Sequence, residues 1–385
     1  MTLRLLTAGE SHGPELVLIV EGIPAGVAVD AEEVDRQLDR RRGGHGRGAR
    51  STKIERDHAE IVSGVVGSRT TGSPVAVRIV NRDFVNQPAD PVQLTTPRPG
   101  HADLAGAAKH GHDDFRVVRE RASARETAAR VAAAALVRPL LSAFGISLGS
   151  FVVGIGPVSL HLDLGASTAA SLRRLAEGAE PDPVRCPDAE TSERMVAAID
   201  RAKEERQTLG GTFIVFAIGA PIGLGSYTHW DLRLDGRLAQ ALCSIPAIKG
   251  VEIGPGFDLA ALPGTHAQDA ILRSGGKLVR SSNFAGGVEG GMSNGEPIVL
   301  RAAMKPLSST RAPATSVDLR SGATADPPYV RSDVCAVPAA AVVGEAMACW
   351  VLAQTLLERY GGDRMDALLA AARQVEGTQT LGAGS

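Results

Sequence analysis

VPAAAVVGEAMACWVLAQTLL, residues 337–357, has a helix-forming composition but no polar face. A helix of this kind has to be covered on every side. Residues 123–138, SARETAARVAAAALVR, repeat the pattern. Ser123 and Glu126 form a capping box there, and alanine or aliphatic residues fill most later positions. Pro139 is expected to kink or stop this second helix. Residues 337–357 are also long enough to raise a membrane span. Glu345 and Gln354 inside the run, and Glu358-Arg359 at its end, argue against one.

Around these helices the chain reads as strands. Residues 3–8 and 15–22 form a hairpin-like pair, and further strands are expected near 59–66, 73–80, 146–154, 211–219, 248–253 and 296–303. Their frequent alternation gives each sheet one wet face. Asp30 opens a helix through D-A-E-E that ends in the glycines after Arg42, and more helices are expected over 188–206, 231–244 and 364–373. The simplest packing is an α/β (α+β) fold, a β-α-β sandwich with central long helices between two mostly antiparallel sheets. Without repeats or a low-complexity linker, residues 1–385 make a single large layered domain, with 375–385 expected to be a flexible C-terminal tail.

Lys plus Arg number 41 against 43 Asp plus Glu, so a net charge of -2 exerts no general pull toward nucleic acid or an anionic membrane. The positive charge is nevertheless concentrated, in RQLDRRRGGHGRGARSTKIER (36–56) and again over 116–130. Arginine interleaved with glycine suits a small polyanionic ligand held bidentately in a pocket. A helix cap followed by a basic loop explains GGHGRG equally well. Aromatic residues are only 3 %, so the core rests on Ala, Val, Leu and Ile. Cys186, Cys243, Cys335 and Cys349 are scattered without a C-x-x-C, which fits a reducing cytosol, and the N-terminus lacks signal-peptide features.

Gly9-Glu10-Ser11-His12-Gly13 has the spelling of a serine-hydrolase elbow, G-x-S-x-G. Only eight residues precede Gly9, and PELVLIVEGIP after it reads as a strand. The elbow needs an earlier strand and a following helix, so Ser11 is read as a hydrogen-bonding neighbour of His12. GGHGRG follows a helix and opens none, which separates it from a dinucleotide fingerprint; its glycines let Arg47 and Arg50 approach a ligand. His101, His110 and His112 lack the spacing of a metal motif, and no metal is expected. Arg98, one turn before His101, puts a cation beside a proton donor, an arrangement suited to a departing phosphate.

Taken in order, GESHG (9–13), RRRGGHGRGAR (40–50), RPGHAD (98–103), RASARETAARVAAAA (121–135), IKGVEIGPGF (248–257), AGGVEGGMSNGEP (285–297), MKPLSS (304–309) and RSDVCAVPAA (331–340) resemble the chorismate synthase family over nearly the whole chain. The resemblance implies an anti-1,4-elimination of phosphate from 5-enolpyruvylshikimate 3-phosphate, giving chorismate with no net redox change. It also implies reduced FMN. Acid–base help from a side chain supplies about 10² to 10⁴-fold, less than enzymes commonly need, and an electron-rich flavin makes up the difference.

By motif, the resemblance gives His12, His101 and Asp333 catalytic roles, supported by Ser11 and Ser123. It assigns Arg41, Arg47, Arg50, Arg98, Arg125 and Arg331 to the substrate's anionic groups. FMN contacts are implied at Arg121, Ala122, Ser123, Pro246, Ala247, Gly290, Lys305, Pro306, Leu307, Ser308, Ser309 and Arg331. Arg41 and Arg47 carry a family association with NADP, although on charge grounds the enolpyruvyl substrate is their main ligand. Pro246 departs from the family's usual Asn or Gln and removes an amide and a backbone donor. The resemblance further implies a cytoplasmic homotetramer of the monofunctional type that takes its flavin reduced by an external reductant. The competing reading is a flavin- or phosphate-binding relative without elimination activity; retention of His12, His101 and Asp333 speaks against it.

Overall fold

The computed structural model describes residues 2–48, 57–88, 91–275, 277–328 and 332–378. Its helices are α1 (Ala31–Arg42), α2 (Asp103–His110), α3 (Phe115–Arg121), α4 (Thr127–Ala143), α5 (Ala169–Ala179), α6 (Ala189–Glu204), α7 (Leu234–Cys243), α8 (Gly256–Leu259), α9 (Val337–Tyr360) and α10 (Met365–Thr378). The main strands are β1 (Arg4–Ala8), β2 (Glu15–Glu21), β3 (Ala59–Ser63), β4 (Val75–Val80), β5 (Ser147–Ile155), β6 (Val158–Ser159), β7 (Gly211–Ile218), β8 (Ile248–Ile253) and β9 (Ile298–Met304). The first four form one antiparallel sheet in the order β1-β2-β4-β3, and the rest form another in the order β8-β9-β7-β5-β6.

The two helices without a polar face occupy the interior. α4 packs on β1, β2 and α9, while α9 packs in turn on β5 and β7. Twenty of the residues of α9 are buried, and 94 % of its most apolar window lies inside the fold. By length and composition that helix could cross a membrane; here it is the core. Gly344 explains how it lies so close to the sheet: a Cβ there would meet the Phe213 ring at 2.8 Å and Val215 at 2.9 Å. The next residue, Glu345, is buried against Arg40 (3.1 Å), Arg138 (2.8 Å) and the Ser150 hydroxyl (3.0 Å). Burial alone raises its pKa, but the charges of Arg138 and Arg40 outweigh that and hold the carboxyl well below the usual range.

The first sheet has the expected wet face: Leu16, Leu18, Val20, Val75, Val77 and Ile79 are buried, and Ile19 and Val80 are exposed. The second sheet corrects the expectation. Phe151, Ile214, Phe216 and Val299 join Leu172 and Ala179 of α5 in a second apolar cluster, so this sheet is covered on both sides. SFVVGI and TFIVFAI are apolar at consecutive positions, the pattern of strands buried on both faces.

Pro139 does not stop α4. The helix runs to Ala143, with Leu140 and Leu141 fully buried beyond the proline, and that packing offsets the lost backbone bond. The expected tail begins as helix instead, because α10 continues through Thr378 with no breaker before Gly377; residues 379–385 lie outside the described ones.

Candidate active site

The turn after β1 depends on Gly9. Its φ is +105°, and a Cβ would fall 2.4 Å from the Glu15 carbonyl oxygen. This tight turn lowers Ser11 and His12 onto the end of α3. The Ser11 N–H donates to the Glu120 carbonyl (3.1 Å), and the His12 N–H donates to Glu120 Oε2 (2.7 Å). His12 Nδ1 lies 2.8 Å from Glu120 Oε1. A proton on Nδ1 is therefore donated to the carboxylate, which fixes the tautomer. Burial raises the Glu120 pKa, yet hydrogen bonds and charge from His12, aided by Arg119, bring it below the usual range. Ser11 Oγ accepts from Ser123 Oγ (3.1 Å), and β2 follows the turn where a hydrolase elbow has a helix. Ser11 thus sits hydrogen-bonded in a strand-to-strand turn.

A second imidazole–carboxylate pair stands at the start of α2. His101 Nδ1 is 2.5 Å from Asp103 Oδ1. Asp103 also accepts from Arg98, at Nε (2.8 Å), Nη2 (3.0 Å) and the backbone N–H (3.1 Å). Arg98 Nη2 comes within 2.9 Å of His101 Nδ1 as well, but both atoms point their protons at Asp103, so that approach follows from the shared acceptor. Arg98 Nη1 donates to Ser309 Oγ (2.8 Å). Burial raises the Asp103 pKa; the His101 hydrogen bond and Arg98 overcome it and leave the carboxyl far below normal.

Both pairs open on one cavity of about 780 Å³. Arg41, Arg47, Arg98 and Arg125 line it with Ser11, Ser123 and Asp333. Arg47 pairs with Asp333, whose other oxygen takes the Gly48 N–H (2.6 Å). Arg125 Nη2 meets Asp57 (2.9 Å), and Arg41 donates to Thr127 Oγ1 (2.8 Å) and the Ala124 carbonyl (2.9 Å). Ala122, Pro246, Ala247, Lys305, Leu307, Ser308 and Ser309 also lie on the wall.

Three expected residues do not line the cavity. Arg121 turns away and donates to the Thr7 and Gly9 carbonyls (2.9 and 3.2 Å), because successive helical residues point about 100° apart. Pro306 does not reach the wall although Lys305 and Leu307 on either side of it do, and Gly290 belongs to the 288–293 hairpin. Arg50 and Arg331 lie outside the described residues. His110 and His112 stack on each other at 6.0 Å and take no part in the cavity.

Sequence reasoning missed Glu120, Asp103, Asp57 and Arg119. Arg119 lines the cavity, and burial, with the nearby charge of Arg98, lowers its pKa to about 10. The only prior signal for Glu120 and Arg119 was the basic run 116–130; for Asp103 it was a place two residues after His101.

A sequence model described as chorismate synthase matches residues 3–357. The chain belongs to the chorismate synthase family. The chorismate synthase of Desulforudis audaxviator is 53 % identical over 379 residues, covering 95 % of each chain. That of Moorella thermoacetica is 52 % identical over 385 residues, covering 97 % of this chain and 98 % of its own. A crystal structure of chorismate synthase superposes with a TM-score of 0.80 at 43 % identity, over 97 % of both chains. Chorismate synthases are lyases of aromatic biosynthesis that act on a small molecule and use a flavin.

The cavity wall fits such a cofactor. Lys305 Nζ donates to Ser308 Oγ (2.9 Å), which donates onward to the Gly100 carbonyl (2.7 Å). Burial first, and the charge of Lys249 second, lower the Lys305 pKa, the condition of an ammonium group placed to receive an anion.

Proposed function

We propose that this cavity carries out the chorismate synthase reaction, the anti-1,4-elimination that turns 5-enolpyruvylshikimate 3-phosphate into chorismate. The balance is one phosphate and one proton lost from the ester and one carbon–carbon double bond gained. The observation that carries the assignment of roles is the pair of buttressed imidazoles, His12 on Glu120 and His101 on Asp103, facing one arginine-lined cavity. Binding alone requires neither proton donor.

In this reading Arg41, Arg47, Arg98 and Arg125 gather the substrate's two carboxylates and its phosphate, joined by Arg50 and Arg331. As the imidazolium, with Nδ1–H donated to Asp103, His101 offers its second proton from Nε2 to the leaving phosphate oxygen. Asp333, oriented by Arg47 and the Gly48 N–H, accepts the proton taken from the ring. His12 holds a proton against the cofactor, and Ser11 and Ser123 fix the turn that carries it.

The cofactor is reduced FMN, which when bound supplies the transient electron donation that no side chain here can offer. Lys305, Ser308 and Ser309 would hold its phosphate, while Ala122, Ser123, Pro246 and Ala247 would flank its ring. The packing of α4 and α9 between the two sheets supports a β-α-β sandwich. The family resemblance supports a cytoplasmic homotetramer supplied with flavin by a separate reductant. The test is anaerobic turnover with photoreduced FMN. Phosphate release with chorismate formation is the expected result, and flavin binding without phosphate release overturns the assignment.

A further inference from the structure

Three of the guanidinium groups in the cavity wall already have a protein carboxylate in contact. Arg47 has Asp333, Arg98 has Asp103 and Arg125 has Asp57 in ion-pair contact. Arg119 differs. It sits half-buried on α3 in the cavity wall, and among the described residues its guanidinium has no hydrogen bond or ion pair with any protein group. A cation half withdrawn from water with no carboxylate in direct contact still has donors to offer, so an anion brought to that spot is held strongly. Burial and the Arg98 charge both disfavour its protonated form, yet with a pKa near 10 it remains a cation at neutral pH.

Its position says which anion. The charges that act on Arg119 are those of Arg98, Asp103 and Glu120, the groups that hold the two imidazoles, together with that of Arg116. Arg119 thus shares the cavity wall with both buttressed histidines and directly precedes Glu120, the carboxylate that holds His12, on α3.

We infer that Arg119 is a further substrate-binding residue, which takes the phosphate of the ester as its ligand. The inference rests on the reading of the cavity given above. As the carbon–oxygen bond breaks, its electron pair leaves with the phosphate, and a fixed guanidinium at that oxygen group counters the growing charge. A guanidinium that already has a protein carboxylate answers that growth less well than Arg119.

The test is calorimetric titration of the full chain loaded with oxidised FMN, which allows binding without turnover. The ligands are 5-enolpyruvylshikimate 3-phosphate and the same ring phosphate without its enolpyruvyl group. Arg119→Gln is expected to weaken both by about tenfold or more, the loss of one charged hydrogen-bonding partner, and to leave FMN affinity within about twofold. Arg119→Lys should recover part of the loss, which also shows that the site tolerates substitution. Unchanged affinity for both ring phosphates in Arg119→Gln overturns the inference. A loss confined to the enolpyruvyl compound points to a carboxylate, and a loss confined to FMN points to the cofactor; either refutes the assignment to the substrate phosphate. If the unsubstituted protein binds neither compound, the cavity reading itself fails, a result distinct from all of these.

Discussion

Replacing Asp103 with asparagine removes one negative charge while keeping the shape of the side chain. Asp103 is 2 % exposed and takes three donors from Arg98 and one from His101. The asparagine amide would put two donors of its own against that guanidinium. Removing one partner of a buried pair costs about 3–5 kcal/mol, because the other charge stays behind uncompensated. Urea unfolding, followed through the buried Trp350, should show a loss of that size. Turnover should fall by about 10² or more, since His101 loses the charged carboxylate that holds its proton on Nδ1 and supports its protonated form.

The pH dependence has a definite sign. Because the folded carboxyl is held below its ordinary value, its contribution to stability is fully present above the unfolded pKa of about 3.9. That contribution disappears as pH falls through the lower folded value. The stability gap between wild type and Asp103→Asn should therefore be widest near neutrality and narrow below about pH 4. An unchanged urea midpoint together with unchanged turnover would refute the argument.

Two other substitutions probe the remaining parts of the site. Glu120→Gln removes the carboxylate shared by the His12 N–H and Nδ1, and kcat should drop about tenfold or more with substrate affinity retained; an unaltered kcat means the pair has no catalytic part. Lys305→Ala should raise the Kd for FMN about tenfold in a fluorescence titration, and an unchanged Kd places the cofactor phosphate elsewhere.

The central helices were legible because a run with no polar face leaves the chain few packing choices. Residues 337–357 identified the core before any strand was paired, and the strands on either side followed from alternation. The covered outer face of the second sheet was harder to read. Its apolar character lies in TFIVFAI, whereas α5, AASLRRLAEGA, offers only a narrow apolar stripe around Leu172. Local pattern does not reveal that the two meet.

The same limit applied within the site. Imidazoles and arginines stood out in short motifs, but the carboxylates that govern them did not. Glu120 lies 108 positions from His12 in a stretch dominated by arginine, so only the folded chain joins them. Family resemblance pointed to Arg121, and helical geometry gave the cavity to Arg119 instead, two residues and about 200° away. Ser11 taught the opposite lesson: a familiar motif lost its meaning once the following segment formed a strand.

The account depends on a histidine-assisted departure of phosphate inside the arginine-lined cavity. Single-turnover phosphate release from 5-enolpyruvylshikimate 3-phosphate, with photoreduced FMN under anaerobic conditions, tests it most directly when wild type and His101→Ala are compared. Release should be slower by about 10² or more in the variant, with FMN affinity unaltered. Equal rates in the two proteins would contradict the mechanism.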